Sequence, residues 1–451
     1  MPTHRTFQCI WVPKENISVR PGDAWMLNSP YNGGTHLPDI TVIAPVFDAQ
    51  QNCFAYVAAR GHHADIGGMT PGSMPPQSKR IDEEGICIHD FQLMKAGELC
   101  EEQTRDLLAS PPWPARNPDK NLADLRAQLA ACARGIKELS KLSERYGSDV
   151  VCAYMRHSMD NAEASVKRVL QDIKPGHFAC VMDNGARIEV TIKPDESQER
   201  ISIDFHGTSE QQHNNFNAPL SVTRAAVLYV IRTLVEDDIP LNDGCLRPVD
   251  LIIPQGCMLN PVAPAAVVAG NVETSQIIVD ALYGALDLLA ASQGSMNNFT
   301  FGNSEHQYYE TICGGTGAGP NFDGCSAVHS HMTNSRLTDA EVLESRFPVR
   351  VEQFSIRRNS GGSGQFKGGD GVVRKIRFLE PMSAAILSNR RRVAPHGLEG
   401  GEPGAIGKNW LEFANGQRRQ LDPTVQLELD ANNAVMIETP GGGAMKMNRP
   451  Q

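Results

Sequence analysis

The sequence has no Cys-x-x-Cys pair, no Gly-x4-Gly-Lys-[Ser/Thr] loop and no Gly-x-Ser-x-Gly elbow. Nor does any apolar run approach the ~18 residues needed to cross a bilayer. Each absence excludes something. The eleven cysteines, from Cys9 to Cys325, stand singly and are odd in number, so thiols in a reducing cytoplasm are expected. Without a phosphate-cradling loop, this chain is not expected to bind a nucleotide or other organic cofactor itself; Gly314–Gly319 lacks the strand-then-helix setting that such a loop requires. Without a serine elbow or a cysteine in a catalytic context, covalent catalysis is unsupported. Basic residues are outnumbered, 42 Lys and Arg against 52 Asp and Glu, and the net charge is -10. Phosphate backbones are bound mainly by Lys and Arg clusters, so a nucleic-acid partner is not expected, and Arg390-Arg391-Arg392 is too short to change that. The opening Met-Pro-Thr-His-Arg-Thr-Phe resembles neither a signal peptide nor a transit peptide. Neither a membrane span nor a secreted location follows.

What is present is ordinary globular composition, 41% hydrophobic and 21% charged. The length of 451 residues is about three times that of a typical single domain, which predicts packed subdomains around a sizeable core. β-type runs at Ile40–Phe47 and Cys53–Ala59 are joined by loops rich in Gly, Pro and His. From Leu122 to Tyr146 apolar residues recur three or four apart, and Val150–Ile173 repeats the pattern after Gly147, predicting a helical hairpin with a structural role. Alternation at Arg187–Lys193 and Arg200–His206 predicts paired strands. Helices are expected over Val222–Leu234 and Thr274–Ala291, with a strand at Val249–Ile253. The glycines of Gly361–Gly371 are expected to form tight turns or a bulged hairpin. Strands and helices come in blocks, so the expected class is α+β: a mixed, multi-layer fold with β-rich N- and C-terminal parts around a helical hairpin. The expected divisions are residues 1–118, 119–175 and 176–451.

Two segments carry the strongest chemical signal. Gly33-Gly-Thr-His-Leu-Pro-Asp39 and Arg60-Gly-His-His-Ala-Asp-Ile-Gly-Gly68 each hold His and Asp three apart, as His36/Asp39 and His62/Asp65. Imidazole and carboxylate together suit Mn²⁺, Zn²⁺ or Fe²⁺, and flanking glycines let backbone approach an ion. The intervening hairpin can bring both loops to one end of a sheet; ordinary loop hydrogen bonding is the alternative. Adjacent side chains point differently, so only one of His62 and His63 is expected to ligate. His329 and His331 lie on one side of an extended segment and could add ligands, act as a general base or form a structural pair. Asn271, Glu273, Asn297 and Asn298 could orient an amide or carboxylate substrate, or cap helices.

The segments Gly22–Asp39, Arg60–Pro76, Asn214–Pro219, Gly270–Gln276, Tyr308–Thr311, His329–Asn334, Gly361–Gly371 and Thr439–Gly443 strongly resemble the hydantoinase B/5-oxoprolinase family. The likeness spans nearly the whole chain and is nearest to the C-terminal, hydantoinase B-like half of the ATP-dependent 5-oxoprolinases. It implies a two-part reaction of glutathione metabolism, the γ-glutamyl cycle. An actin-like, hydantoinase A-like ATPase half phosphorylates the lactam oxygen of 5-oxoproline, and this half hydrolyses the activated ring to glutamate. ATP would be used only through that partner, within an oligomer. Related acetone carboxylases carry a metal in the equivalent subunit, held by His and Asp. Carried over by position, the resemblance favours His36, Asp39 and one of His62/His63 as ligands, with Asp65 as a ligand or as an acid fixing a histidine tautomer. His329 and His331 would be catalytic, and Asn334 would join the asparagines and Glu273 in binding substrate. A non-catalytic fragment or binding subunit, and an N-methylhydantoinase or ketone carboxylase-type subunit, remain alternatives.

Overall fold

The computed structural model describes residues 19–446, so Cys9 and the N-terminal targeting expectation lie outside the described residues. The first sheet runs β3-β2-β1-β4-β5, from β1 (Ala24–Leu27), β2 (Asp39–Phe47), β3 (Cys53–His62), β4 (Phe91–Lys95) and β5 (Glu98–Leu99). A short helix α1 (Glu101–Ala109) leads to the hairpin of α2 (Pro118–Tyr146) and α3 (Ser148–Leu170). The hairpin forms as its apolar spacing requires. Asn117 caps α2 by accepting from Lys120 N, Pro118 fits the first turn, and Gly147 ends the helix at φ 87°. The apolar face of α2 buries Leu122, Leu125 and Cys132 against β2 and β3. Gln128 also fastens it there, donating to the carbonyls of Ile40 and Ala59 at 2.8 and 2.9 Å.

The second sheet, β6 (Gly176–Val181), β7 (Arg187–Pro194), β8 (Ile201–Asp204) and β9 (Val249–Ile252), is antiparallel except for its last pair. It packs on α5 (Ser275–Leu286), which is buried along almost its whole length and in turn packs on α4 (Leu220–Thr233). Such burial on every side needs small residues where elements touch: a Cβ at Gly284 would lie 2.7 Å from the Phe178 ring. The third sheet is β11-β10-β14-β17, from β10 (Asn298–Gly302), β11 (Gln307–Glu310), β14 (Met382–Leu387) and β17 (Thr424–Leu429). After α6 (Ala340–Arg346), β12 (Val349–Arg357), β13 (Gly371–Phe378), β15 (Lys408–Glu412), β16 (Arg418–Leu421) and β18 (Ala434–Glu438) form the fourth, ordered β12-β13-β18-β15-β16. Several separate sheets with interposed helices make the α+β class expected from the sequence. None of the described helices is long and apolar enough to cross a membrane.

Two expectations require correction. The helix expected over Thr274–Ala291 begins as a π turn at Gly270–Thr274 and stops at Leu286, with Asp287 left-handed at φ 55°. The apolar pattern ran on because Ala290–Met296 is itself buried as irregular chain, tied back where Ser292 N donates to Asp280 Oδ1. The glycines of 361–371 lie in the connection of an antiparallel hairpin, β12–β13, that carries a bulge at Val351–Gln353, so the hairpin is there but the connection is no tight turn. They interleave with two other glycine segments: a Cβ at Gly368 would lie 1.9 Å from Gly442 O, and one at Gly315 1.9 Å from Gly369 O. Backbone packs directly on backbone there, leaving no room for side chains.

Candidate metal centre

The register of the first hairpin assembles the site. Asp39, the first residue of β2, is the cross-strand partner of His62, the last of β3. This alignment brings both His-x-x-Asp loops to one sheet end. His36 precedes it in a loop turned at Gly33, φ 87°, where Gly34 lies so close to Asn28 that a Cβ would be 2.2 Å from that carbonyl oxygen. One ligand atom each of His36, Asp39 and His62 lies within 4.8 Å of the others. His36 is buried, Asp39 partly so, and His62 meets solvent, leaving the cluster open on that side.

Asp39 Oδ2 lies 3.4 Å from His36 Nδ1 and accepts from Thr35 Oγ1 at 3.0 Å. Burial opposes ionisation of this carboxyl, but His36, His62 and Thr35 outweigh it and hold Asp39 well below the usual carboxylate range. Packing around His62, with the neighbouring His36, pushes that imidazole down, although one edge stays open. An anionic oxygen beside a neutral imidazole suits a borderline divalent ion, and the remaining oxygen of Asp39 and the open side of His62 leave room for coordination. These residues therefore fit a metal.

His63 does not join them. Successive strand residues face opposite ways, and His63 is buried toward α2, 3.1 Å from Gln128 Oε1 and 3.1 Å from Asn121 Nδ2. Asp65 is likewise committed: Oδ1 accepts from Gly67 N and Arg116 N, and Oδ2 from Gly72 N and, at 2.8 Å, from Arg116 Nη1. Its carboxylate organises the loop, with no oxygen left for a metal or a proton transfer.

Asn271, on the π turn before α5, reaches His36 Nδ1 with its Nδ2 at 3.1 Å. Tyr309 of β11 stacks on His62, ring centroids 5.5 Å apart and planes 9° from parallel. Its hydroxyl donates to Asn298 Oδ1 at 2.8 Å, and Asn298 Nδ2 donates to Glu273 Oε1 at 2.7 Å. Burial pushes Glu273 up to about 8, against the pull of Ser295 and Arg391. Asn271, Asn298 and Glu273 are thus gathered behind the cluster. Asn297 faces elsewhere, accepting from the buried Arg391 guanidinium at 2.7 Å. His331 packs on Tyr229, Tyr283 and Asp280, with Nε2 3.6 Å from Asp280 Oδ1, on the flank of α5. His329 is partly buried, which lowers its pKa, and Asn334 is exposed. Tyr309, Thr35 and Gln128 were missed as supports. Thr35 and Tyr309 had a signal, their places in the Gly22–Asp39 and Tyr308–Thr311 segments, though nothing in the latter marks which tyrosine faces the cluster.

The hydantoinase B/oxoprolinase family model matches residues 5–445. The chain is 46% identical to a 5-oxoprolinase of Dictyostelium discoideum, over 94% of this chain and 34% of that protein. It is 45% identical to 5-oxoprolinase 1 of Arabidopsis thaliana, over 96% of this chain and 36% of that one. It therefore spans about a third of the length of these curated relatives. Among solved structures, the ATP-dependent caprolactamase from Pseudomonas jessenii shares the fold, with a TM-score of 0.81 at 24% identity over 97% of this chain and 79% of that one.

Proposed function

The chain belongs to the hydantoinase B/oxoprolinase family, and from that premise we propose that it is the ring-opening half of an ATP-dependent 5-oxoprolinase. The reaction is 5-oxo-L-proline, ATP and water to L-glutamate, ADP and phosphate, a step of glutathione metabolism. A hydantoinase A-like partner uses the ATP to activate the lactam oxygen. In this half one water adds to the activated carbon and the ring C–N bond breaks, the nitrogen taking the proton, while a second water takes the phosphoryl group off the oxygen as phosphate.

The observation that carries the reading is the convergence of His36, Asp39 and His62 on one open site. Those three would hold a divalent ion such as Mn²⁺, Zn²⁺ or Fe²⁺, which supplies Lewis acidity to a carbonyl or to water. Asp39 stays ionised there beside His36 Nδ1, and Asn271 Nδ2 lies against the same nitrogen, so both hold that edge of the imidazole. Asn298 and Glu273 back the aromatic wall formed by Tyr309. His331, set against Asp280 outside this contact set, is assigned to holding the 329–334 segment on α5, where Gln276 Nε2 donates to Ser330 O at 3.2 Å. The ten described cysteines are free, in keeping with the cytoplasm.

The test is reconstitution with a hydantoinase A-like ATPase half, measuring glutamate and ADP from 5-oxo-L-proline before and after metal removal. The expected result is coupled release of both that ceases with chelation and returns with the ion. Lactam-dependent ATP hydrolysis by the partner with no glutamate from the metal-loaded pair would overturn the assignment.

A further inference from the structure

One group beside the cluster has no role yet: the Tyr309 hydroxyl. Its hydrogen bonding is settled by a chain of atoms of fixed polarity. The carbonyl of Leu387 can only accept, so the Asn298 side-chain atom 2.8 Å from it is the amide nitrogen. The same nitrogen meets Glu273 Oε1, and turning the amide over would set its oxygen against the Leu387 carbonyl. Asn298 Oδ1 is therefore fixed toward Tyr309, 2.8 Å from its hydroxyl. Amide oxygen carries no hydrogen, and the phenol has one, which is committed to that bond. A phenol ordinarily keeps its proton at neutral pH, and here the hydroxyl lies 2.8 Å from an acceptor that holds it. In every other direction Tyr309 Oη presents lone pairs alone. Any partner it takes on the side of His62 must therefore be a donor.

We propose that Tyr309 is a substrate contact and specificity determinant, accepting a hydrogen bond from the ring N–H of a lactam that lies against His62 and selecting N–H lactams over N-alkylated ones. This rests on the lactam reading of the site. Asn298 and Glu273 are positioning residues: by holding the phenol proton they keep the hydroxyl an acceptor. The stacked ring sets how deep the lactam sits, and the hydroxyl reads which atom faces it.

The test is calorimetric binding of 5-oxo-L-proline and of N-methyl-5-oxo-L-proline to the metal-loaded full chain and its variants. Wild type is expected to favour the N–H lactam by about 10-fold or more, the worth of one good hydrogen bond to a buried group. Tyr309→Phe keeps the stacked ring and is expected to retain metal while binding the two lactams alike. Asn298→Ala releases the phenol proton and is expected to reduce the preference without loss of metal. Equal binding of both lactams by wild type, or an unchanged preference in Tyr309→Phe, overturns this inference alone. Equal weakening of both lactams in Tyr309→Phe also overturns it, since the hydroxyl would then not read the nitrogen. Binding of neither lactam by metal-loaded wild type overturns the lactam reading beneath it.

Discussion

Asp39 and His62 face each other as Cα partners across the β2–β3 ladder, and this one pairing joins the loop that carries two of the three candidate metal donors, His36 and Asp39, to the one that carries the third. A change at any of the three donors should therefore remove the ion while the sheet stands. His36→Ala, Asp39→Ala and His62→Ala are each expected to weaken Mn²⁺ or Zn²⁺ binding by at least about 10-fold, in line with the sensitivity of metal sites to their immediate surroundings. Elemental analysis after dialysis reads this, with circular dichroism showing retained fold. Full metal occupancy in Asp39→Ala would exclude the triad.

The neighbouring residues of the second loop should behave in the opposite way. His63→Ala removes a buried ring hydrogen-bonded by Gln128 and Asn121, and Asp65→Asn weakens a carboxylate paired with Arg116. Each is expected to cost about 1–3 kcal/mol of stability in urea unfolding and to leave metal content unchanged. Metal loss without destabilisation would move these residues into the site.

The pH dependence of stability has a defined sign at Glu84. Burial raises this carboxyl to about 8 although Val267 N, Val268 N and Ser78 Oγ all donate to it. The folded chain thus binds this proton more tightly than the unfolded chain, whose glutamates titrate near ~4.3. The stability tied to it is complete below that value and is lost as pH rises toward about 8. Glu84→Gln keeps an acceptor without the titration, so urea midpoints measured across this range should fall less steeply than in wild type. Parallel curves would remove Glu84 as the cause.

Gly284 tests the packing of α5. A Cβ there would lie 2.7 Å from the Phe178 ring, in a helix with no free side to retreat to. Gly284→Ala is expected to lower stability by about 1–3 kcal/mol through overpacking, and Phe178→Leu in the same chain should restore part of it. Thermal unfolding of the single and double variants gives the comparison.

Much of this was legible because periodicity survives in sequence. β2 and β3 follow from β-type runs between turn residues, β7 and β8 from alternation, and the α2–α3 hairpin from three-to-four spacing. The convergence of His36, Asp39 and His62 followed from two loops flanking one hairpin. The choice between His62 and His63 was not settled by composition, because adjacent histidines offer the same ligand chemistry; the fold separates them, His62 at the end of β3 and His63 buried toward α2. Asp65 repeats the spacing of Asp39, yet the chain leaves β3 at His62, so its carboxylate turns to loop amides and Arg116. Tyr309 comes from a different sheet, and no local pattern announces a contact made by long-range packing. The end of α5 was misread because burial of an irregular segment leaves the same apolar signature as helix.

The interleaved glycine segments near the C-terminal end have a consequence for how the molecule would loosen. Gly362 N donates to Gly442 O, Gly442 N to Gly369 O, and Gly369 N to Thr316 O, so the layer is held by peptide groups with almost no side chains between them. It has no rotamers to rearrange, so it cannot absorb a defect by repacking, and ordering glycine is entropically costly. A denaturant that solvates peptide groups attacks it directly, whereas a solvent change that only weakens apolar contacts leaves it standing. Amide exchange in this region should therefore follow the integrity of the whole layer, with glycine protons among the well-protected ones.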